Sequence, residues 1–326
     1  MSLKNTDKKL NVIAVISNPV GYAIRYKLYR DFEKRMLANP TVNLITVECA
    51  YANRRFEVTD SSNPNHVQVR SSSELWLKEN MINLGLARLP TDWEYVAWID
   101  ADIDFMNINW AKDTIWQLQH HKVVQLFSKC LDLNYEGEPM HTFESFCACY
   151  VKNGYKVPDM PVLGNRSKDN GGIHTDGKFW HPGFAWAARR EAIEALGGVM
   201  EFPILGSADH LMSLAFVGQS ERINDLRLSP EYLNSVKAWE VKALKHVNFD
   251  IGYVPGTIFH YFHGKKVNRG YNTRTGILVE SQFNPYTDIK KDVAGVIHLV
   301  VEDERQRRLR DDLRAYFRAR NEDGQD

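Results

Sequence analysis

The chain is poor in cysteine. Its 326 residues include four, Cys49, Cys130, Cys147 and Cys149. None is spaced Cys-x-x-Cys or combined with histidine at a zinc spacing, which points away from a zinc site and towards small buried thiols in a reducing compartment. Net charge is also lacking, with 41 Lys+Arg against 41 Asp+Glu. That balance argues against a general polyanion-binding surface, though it leaves room for a local basic patch. No apolar run is long enough for a membrane span, and Met1 to Leu10 has no apolar signal core. A cytoplasmic protein is the expectation. The loop after the first apolar run reads Ser-Asn-Pro-Val-Gly. It is neither a Gly-x-Gly-x-x-Gly fingerprint nor a phosphate loop, so neither a dinucleotide enzyme nor an NTPase is indicated. No internal repeat is present. Hydrophobic content of 44% and charged content of 25% are those of a soluble globular chain of one large or two small domains.

What is there centres on Tyr95-Val-Ala-Trp-Ile-Asp-Ala-Asp-Ile-Asp-Phe105. Tyr95 to Ile99 reads as a strand buried on both faces. It runs into Asp100, Asp102 and Asp104 at alternating positions, and alternate side chains of an extended chain share a face. Carboxylates crowded at a strand end repel unless a cation lies between them. Hard divalent cations take such oxygen ligands together with substrate phosphates. Open α/β sheets bind ligands at this carboxyl end. The blander alternative is an acidic turn after a strand.

The surrounding chain reads as α/β. Asn11 to Ser17 and Val42 to Ala50 are predicted strands around a helix over Tyr22 to Met36, which places Ser17 and Asn18 at the ligand-binding end of the sheet. Val67 to Arg70 is an expected edge strand. Ser72 is a predicted cap for a helix over Glu74 to Gly85. On that helix Lys78, Asn80 and Asn83 either reach a nucleotide or form a solvated face. A helix over Asn109 to His120 and a strand over Lys122 to Phe127 follow. Asp132 to Lys178 reads as one long irregular segment with a short helix within Glu144 to Tyr155, and Gly164 to Gly177 as a lid over substrate. A strand containing Trp186, a short helix ending in Gly197 and Gly198, and Asp209 near a helix start come next. Asp209 is either functional or an ordinary first-turn acid. In Ile258-Phe-His-Tyr-Phe-His-Gly264, strand alternation puts His260 and His263 on opposite faces. Either one is a metal ligand or a core histidine. Lys265, Lys266, Arg269 and Arg274 then form a basic run that holds a diphosphate or is simply solvated. Val296 to Val301 is a last strand or a helix start, and Glu302 to Arg320 a charged helix.

Taken in order, the Trp-x-Lys-Glu-Asn-x-Ile-Asn helix, Ile-Asp-Ala-Asp, His-Pro-Gly-Phe-Ala-Trp, Gly-Ser-Ala-Asp-His and His-Tyr-Phe-His-Gly resemble the GT-A fold nucleotide-sugar glycosyltransferases over Asn11 to Gly264. The resemblance implies a Rossmann-like mixed α/β sheet flanked by helices. Its catalytic domain would occupy 1–264, with a donor half at about 11–130 and an acceptor half at about 131–264, and 265–326 would pack on it as a C-terminal extension. It implies Asp100 and Asp102 on a Mn²⁺ or Mg²⁺ ion, with His263 or His260 completing the shell. Ser17, Asn18, Lys78, Asn80, Asp100, Trp186, Lys265 and Arg269 would bind the donor, a UDP-sugar being favoured. Asp209 would be the base acting on an acceptor hydroxyl. The acidic motif is Ala-Asp-His rather than the commoner paired-acid form, so retaining transfer stays open beside inverting transfer. The acceptor is unspecified; a modified DNA base is one option, without support from the net charge. Two other classes remain as alternatives. One is a nucleotidyltransferase making a nucleotide sugar, which would carry a Gly-rich basic loop after the first strand. The other is a non-catalytic sugar-binding module.

Overall fold

The computed structural model describes residues 8–158, 180–271 and 273–324. In chain order it contains β1 (Leu10–Ser17), α1 (Ala23–Ala38), β2 (Val42–Tyr51), β3 (His66–Ser71), α2 (Lys78–Leu86), β4 (Tyr95–Ile99), β5 (Ile103–Phe105), α3 (Trp110–Leu118), β6 (Val123–Gln125), β7 (Lys129–Leu133), β8 (Pro139–Ser145) and α4 (Phe146–Lys152). Then come β9 (Trp180–His181), β10 (Ala185–Arg189), α5 (Arg190–Leu196), α6 (Ala208–Phe216), α7 (Pro230–His246), β11 (Ile251–Tyr253), β12 (Thr257–His260), α8 (Thr275–Glu280), β13 (Ile289–Lys291), β14 (Ile297–Leu299) and α9 (Glu304–Ala319).

The main sheet has the order β11-β6-β10-β4-β1-β2-β3. Strands β3, β2, β1 and β4 are parallel, and β10 runs antiparallel between β4 and β6. The apolar runs of β1 and β4 explain its central position. Val12, Ala14 and Ile16 face one hydrophobic cluster and Ile13 the other, while Ala97 and Ile99 oppose Val96 and Trp98. A strand buried on both faces needs apolar residues at every step. The expected edge strand is β3, at the rim of this sheet.

A second sheet, β5-β12-β7-β8-β9, stands beside the carboxyl ends of the first. It corrects the reading of Asp132 onward as a long irregular segment, because β7 and β8 pair there as a hairpin. Alternation had no chance to show, since Ser145 is the one fully buried residue of β8. Helix α2 starts at Lys78 rather than Glu74, and Ser72 does not cap it. The Trp76 N–H instead donates to the Ile204 carbonyl at 2.8 Å, and residues 74–77 lie outside any helix. The expected lid, Gly164 to Gly177, lies outside the described residues. Val296 to Val301 supplies strand β14, which pairs with β13. Leu309, Leu313, Tyr316 and Phe317 of α9 join the same core cluster as β2, α2 and α6.

Candidate functional site

The chemistry-bearing residues gather where the two sheets meet. Strand β4 stops at Ile99, residues 101–102 turn, and β5 leaves to join the second sheet. This turn overrides the expected alternation, so the three carboxylates diverge. Asp104 pairs with Arg35 of α1 at 3.2 Å. Asp100 forms an ion pair with Lys78, the first residue of α2. Burial, with Asp102 adding to it, raises the Asp100 carboxyl against the pull of Lys78.

Asp102 points elsewhere. Its carboxylate lies 3.4 Å from Nε2 of His263 and 3.9 Å from Nε2 of His260. One ligand atom from each of these three residues falls within 4.8 Å of the others. The two histidines meet because β12 ends at His260, so strand alternation no longer separates them. Each is oriented through its other ring nitrogen. Nδ1 of His260 bonds Asp132 at 2.6 Å, and Nδ1 of His263 bonds the Tyr261 carbonyl at 3.1 Å. Metal-ligating histidines are typically fixed in this way.

The set fits a divalent cation. Oδ1 of Asp102 is buried without a hydrogen-bond partner, an atom that needs a counter-charge. Burial first, then Arg269 and His260, hold His263 well below the ordinary histidine value, so it is neutral and able to ligate. Arg269 covers Nε2 of His263 at 2.9 Å. A bound cation requires that guanidinium to give way.

Asp132, which sequence reasoning passed over, lies beneath the cluster. Burial pushes its carboxyl up, but His260 and Lys266 overcome that and hold it well below the usual range. A single acid in the apolar strand Lys-Cys-Leu-Asp-Leu was the available signal. Replacing it with asparagine is expected to weaken Mn²⁺ binding roughly 10- to 100-fold, the usual effect of losing a partner that orients a ligand. Calorimetric titration of Mn²⁺ checks this, and unchanged affinity would remove Asp132 from the site.

The neutral, buried His263 also sets a pH dependence. The unfolded chain protonates this histidine near pH ~6.5, whereas the folded site resists protonation. The unfolded state therefore binds more protons below that pH, so metal-free protein should lose stability as pH falls from about 7 to 5. The slope of Tm against pH should be shallower in His263→Gln. An equal slope in both proteins would contradict this.

A cavity of about 470 Å³ opens over the cluster, and Ser17, Asn18, Lys78, Asp100, Asp209 and Arg269 all line it. The polar atoms of Asn18 are partly committed: Oδ1 accepts from the N–H groups of Gly21 and Tyr22, and Nδ2 donates to the Tyr22 carbonyl. Ser17 shares a hydrogen bond with the Tyr51 hydroxyl at 2.6 Å. Asp209, in the first turn of α6, lies over Gly183.

Three expected donor-binding residues do not line the cavity. Asn80 is buried, donating to Glu201 at 2.9 Å and to the Gly295 carbonyl at 3.0 Å and accepting from the Ile297 N–H. It ties α2 to the β13–β14 hairpin. Trp186 packs in the core against Phe216 and donates to the Pro182 carbonyl at 2.7 Å. Lys265 is exposed; the next residue, Lys266, turns inward to Asp132. Arg25 and Glu322 were not foreseen as site residues. Glu322 pairs with both Arg25 and Arg320 and is held down at about 2 by them despite burial. Their contact joins positions far apart in sequence, so no local pattern announces it. Tyr271 lies among Arg269, Arg274 and Arg320, which bring its phenol down to about 8 although burial pushes it up.

Among known proteins, no family model and no curated protein matches the sequence. Solved structures overlap with it in part. Over 93% of this chain and 98% of the other, the catalytic domain of Drosophila beta1,4galactosyltransferase 7, in complex with xylobiose, is 10% identical with a TM-score of 0.40. The mannosyltransferase PcManGT from Pyrobaculum calidifontis, in complex with GDP-Man and Mn2+, is 12% identical over 96% of this chain and 70% of its own, with a TM-score of 0.43. A 4-diphosphocytidyl-2C-methyl-D-erythritol synthase from Anaerococcus prevotii is 12% identical over 77% of this chain and 88% of its own, with a TM-score of 0.33. By its own sheet order and strand directions the chain is a mixed α/β protein whose central sheet is rich in parallel strands.

Proposed function

We propose that this protein is a metal-dependent glycosyltransferase that moves a sugar from a nucleotide diphosphate sugar, a UDP-sugar in the favoured reading, to an acceptor hydroxyl. One observation carries the proposal. Asp102, His260 and His263 converge on one point in a cavity that also holds Lys266, Arg269 and, further along, Asp209. Asp102, His260 and His263 would hold Mn²⁺ or Mg²⁺. When bound, such an ion supplies Lewis-acid neutralisation of the departing diphosphate. Lys266 and Arg269 hold phosphate oxygens as charged hydrogen-bond donors. Asp209 takes the proton of the acceptor hydroxyl as its oxygen bonds the anomeric carbon, and the bond from that carbon to the diphosphate oxygen breaks. A single displacement of this kind inverts the anomeric centre.

Gly183 keeps the space that this chemistry needs. A Cβ there would lie 2.4 Å from Oδ2 of Asp209 and 3.1 Å from Cε1 of His181. Gly183→Ala should therefore displace the Asp209 carboxylate and lower turnover about 10²-fold, the loss that a misplacement of about 1 Å brings. Steady-state kinetics at saturating donor check it; wild-type turnover would show that Asp209 is not the base.

The proposal is tested by incubating the protein with a panel of nucleotide sugars, with Mn²⁺ or with EDTA, and following nucleotide release. Release from one donor with Mn²⁺ and none with EDTA is expected. No release from any donor, together with no thermal stabilisation by UDP plus Mn²⁺, would overturn it.

A further inference from the structure

Six basic side chains line the cavity, Arg25, Lys78, Lys266, Arg269, Arg274 and Arg320, against the carboxylates of Asp100, Asp102, Asp132, Asp209 and Glu322. Most are already matched. Lys78 pairs with Asp100, Lys266 with Asp132, and Arg25 and Arg320 share Glu322. Among the described residues, neither Arg269 nor Arg274 has a carboxylate ion-pair partner: their hydrogen bonds go to the Tyr271, Tyr316 and Ser207 hydroxyls and to His263, with Glu322 acting on Arg269 only from further off. Both are more than nine-tenths buried, at 7% and 9% exposed. A buried guanidinium without a paired carboxylate is costly unless an anion arrives.

The two occupy different ends of the site. Arg269 bonds His263, beside the point proposed for the cation, which is where a donor diphosphate belongs. Arg274 donates to the Tyr316 hydroxyl at 3.1 Å and to Oγ of Ser207, two residues before Asp209 and immediately before α6. Its guanidinium also lies against Gly206, where a Cβ would be 3.5 Å from Nη1 and 3.4 Å from the Trp76 ring. The indole N–H of Trp76 is buried and has no hydrogen-bond partner. A guanidinium fork, a serine hydroxyl and the start of a nine-residue helix thus border one spot two residues along the chain from the proposed base. That donor set matches the several oxygens of a phosphate group.

Resting on the glycosyltransferase reading, we infer that the acceptor carries a phosphate group, seated on Arg274 and Ser207 beside the hydroxyl that Asp209 deprotonates. In that reading the donor's phosphates would lie against the cation and Arg269, with Lys266 close by on Asp132. Arg274 is left for a second anion, which arrives with the acceptor. The phosphate would align the acceptor and restrict the enzyme to phosphorylated compounds or phosphodiester chains.

The test uses full-length protein saturated with UDP and Mn²⁺. Methyl phosphate or dimethyl phosphate is titrated in by calorimetry, with sodium chloride at matched ionic strength as the control. Saturable binding of one of them on top of the nucleotide is expected, tenfold or more weaker in Arg274→Gln and partly restored in Arg274→Lys. The affinity for UDP–Mn²⁺ should change by a far smaller factor. Preference for methyl phosphate would identify a phosphomonoester acceptor, and preference for dimethyl phosphate a phosphodiester. Phosphate that displaces UDP, that binds no better than chloride, or that binds Arg274→Gln as tightly as wild type would overturn the inference. Should Arg274→Gln fail to fold, Ser207→Ala with the same titration decides, a several-fold loss being expected. Absence of UDP–Mn²⁺ binding would instead count against the glycosyltransferase reading. The phosphate titration of nucleotide-free protein still reports on Arg274 in that case.

Discussion

Asp102→Asn is expected to abolish metal-dependent nucleotide release while leaving the protein folded. Its carboxylate is about a quarter exposed, and its buried Oδ1 makes no hydrogen bond that the amide would break. What disappears is the only carboxylate charge in the convergent set with His260 and His263. Imidazoles without that charge bind a hard dication poorly. Loss of the electrostatic support for a departing diphosphate is worth roughly 10²–10³-fold in turnover. Asp104→Asn is the matched control. Asp104 is engaged with Arg35 rather than with the cluster, so turnover close to wild type is expected. Steady-state release assays on the two variants decide the matter. An active Asp102→Asn, or an inactive Asp104→Asn, would move the metal to another point on the turn.

Asp209→Asn is expected to separate binding from chemistry. Asp209 accepts from the N–H of the next residue, His210, at 2.8 Å, and its other oxygen faces the gap kept by Gly183. An asparagine fills the same space but takes no proton. A lost general base costs about 10²–10⁴-fold, so transfer should fall by that factor while binding of UDP with Mn²⁺ persists. A helix-first-turn acid with no catalytic task would behave otherwise. Its loss would trim a few tenths of a kcal/mol, up to about 1 kcal/mol, of helix-dipole stabilisation and leave turnover untouched. Measured turnover therefore distinguishes the two roles.

The parts of this arrangement that could be read from sequence are the local ones. β1, β2 and β4 announce themselves because strands buried on both faces need unbroken apolar runs, and Ile-Asp-Ala-Asp ends the central one. Asp102 and the two histidines were readable as types, but not as a set. Period-two reasoning assumes a continuing strand, whereas the chain turns at residues 101–102 and β12 stops at His260. Those two interruptions let Asp104 diverge and bring His263 in. Asn80 and Trp186 misled for a related reason. A polar or aromatic residue on a helix or strand gives no sign of which neighbour will claim it, and here Glu201, Gly295 and Phe216 do. The wall built by Arg25, Arg320 and Glu322 was beyond any local pattern, since it closes across nearly the whole chain.

The central claim is that Asp102, His260 and His263 hold the ion that serves the donor. Crystals soaked with Mn²⁺ and UDP, with data collected at the manganese absorption edge, test it most directly. The predicted result is one anomalous peak within bonding distance of Asp102, of Nε2 of His260 and of Nε2 of His263, with Arg269 moved off His263 and the UDP phosphates against the ion. A peak at Asp104 or elsewhere, or bound UDP with no ion at this cluster, would contradict the account.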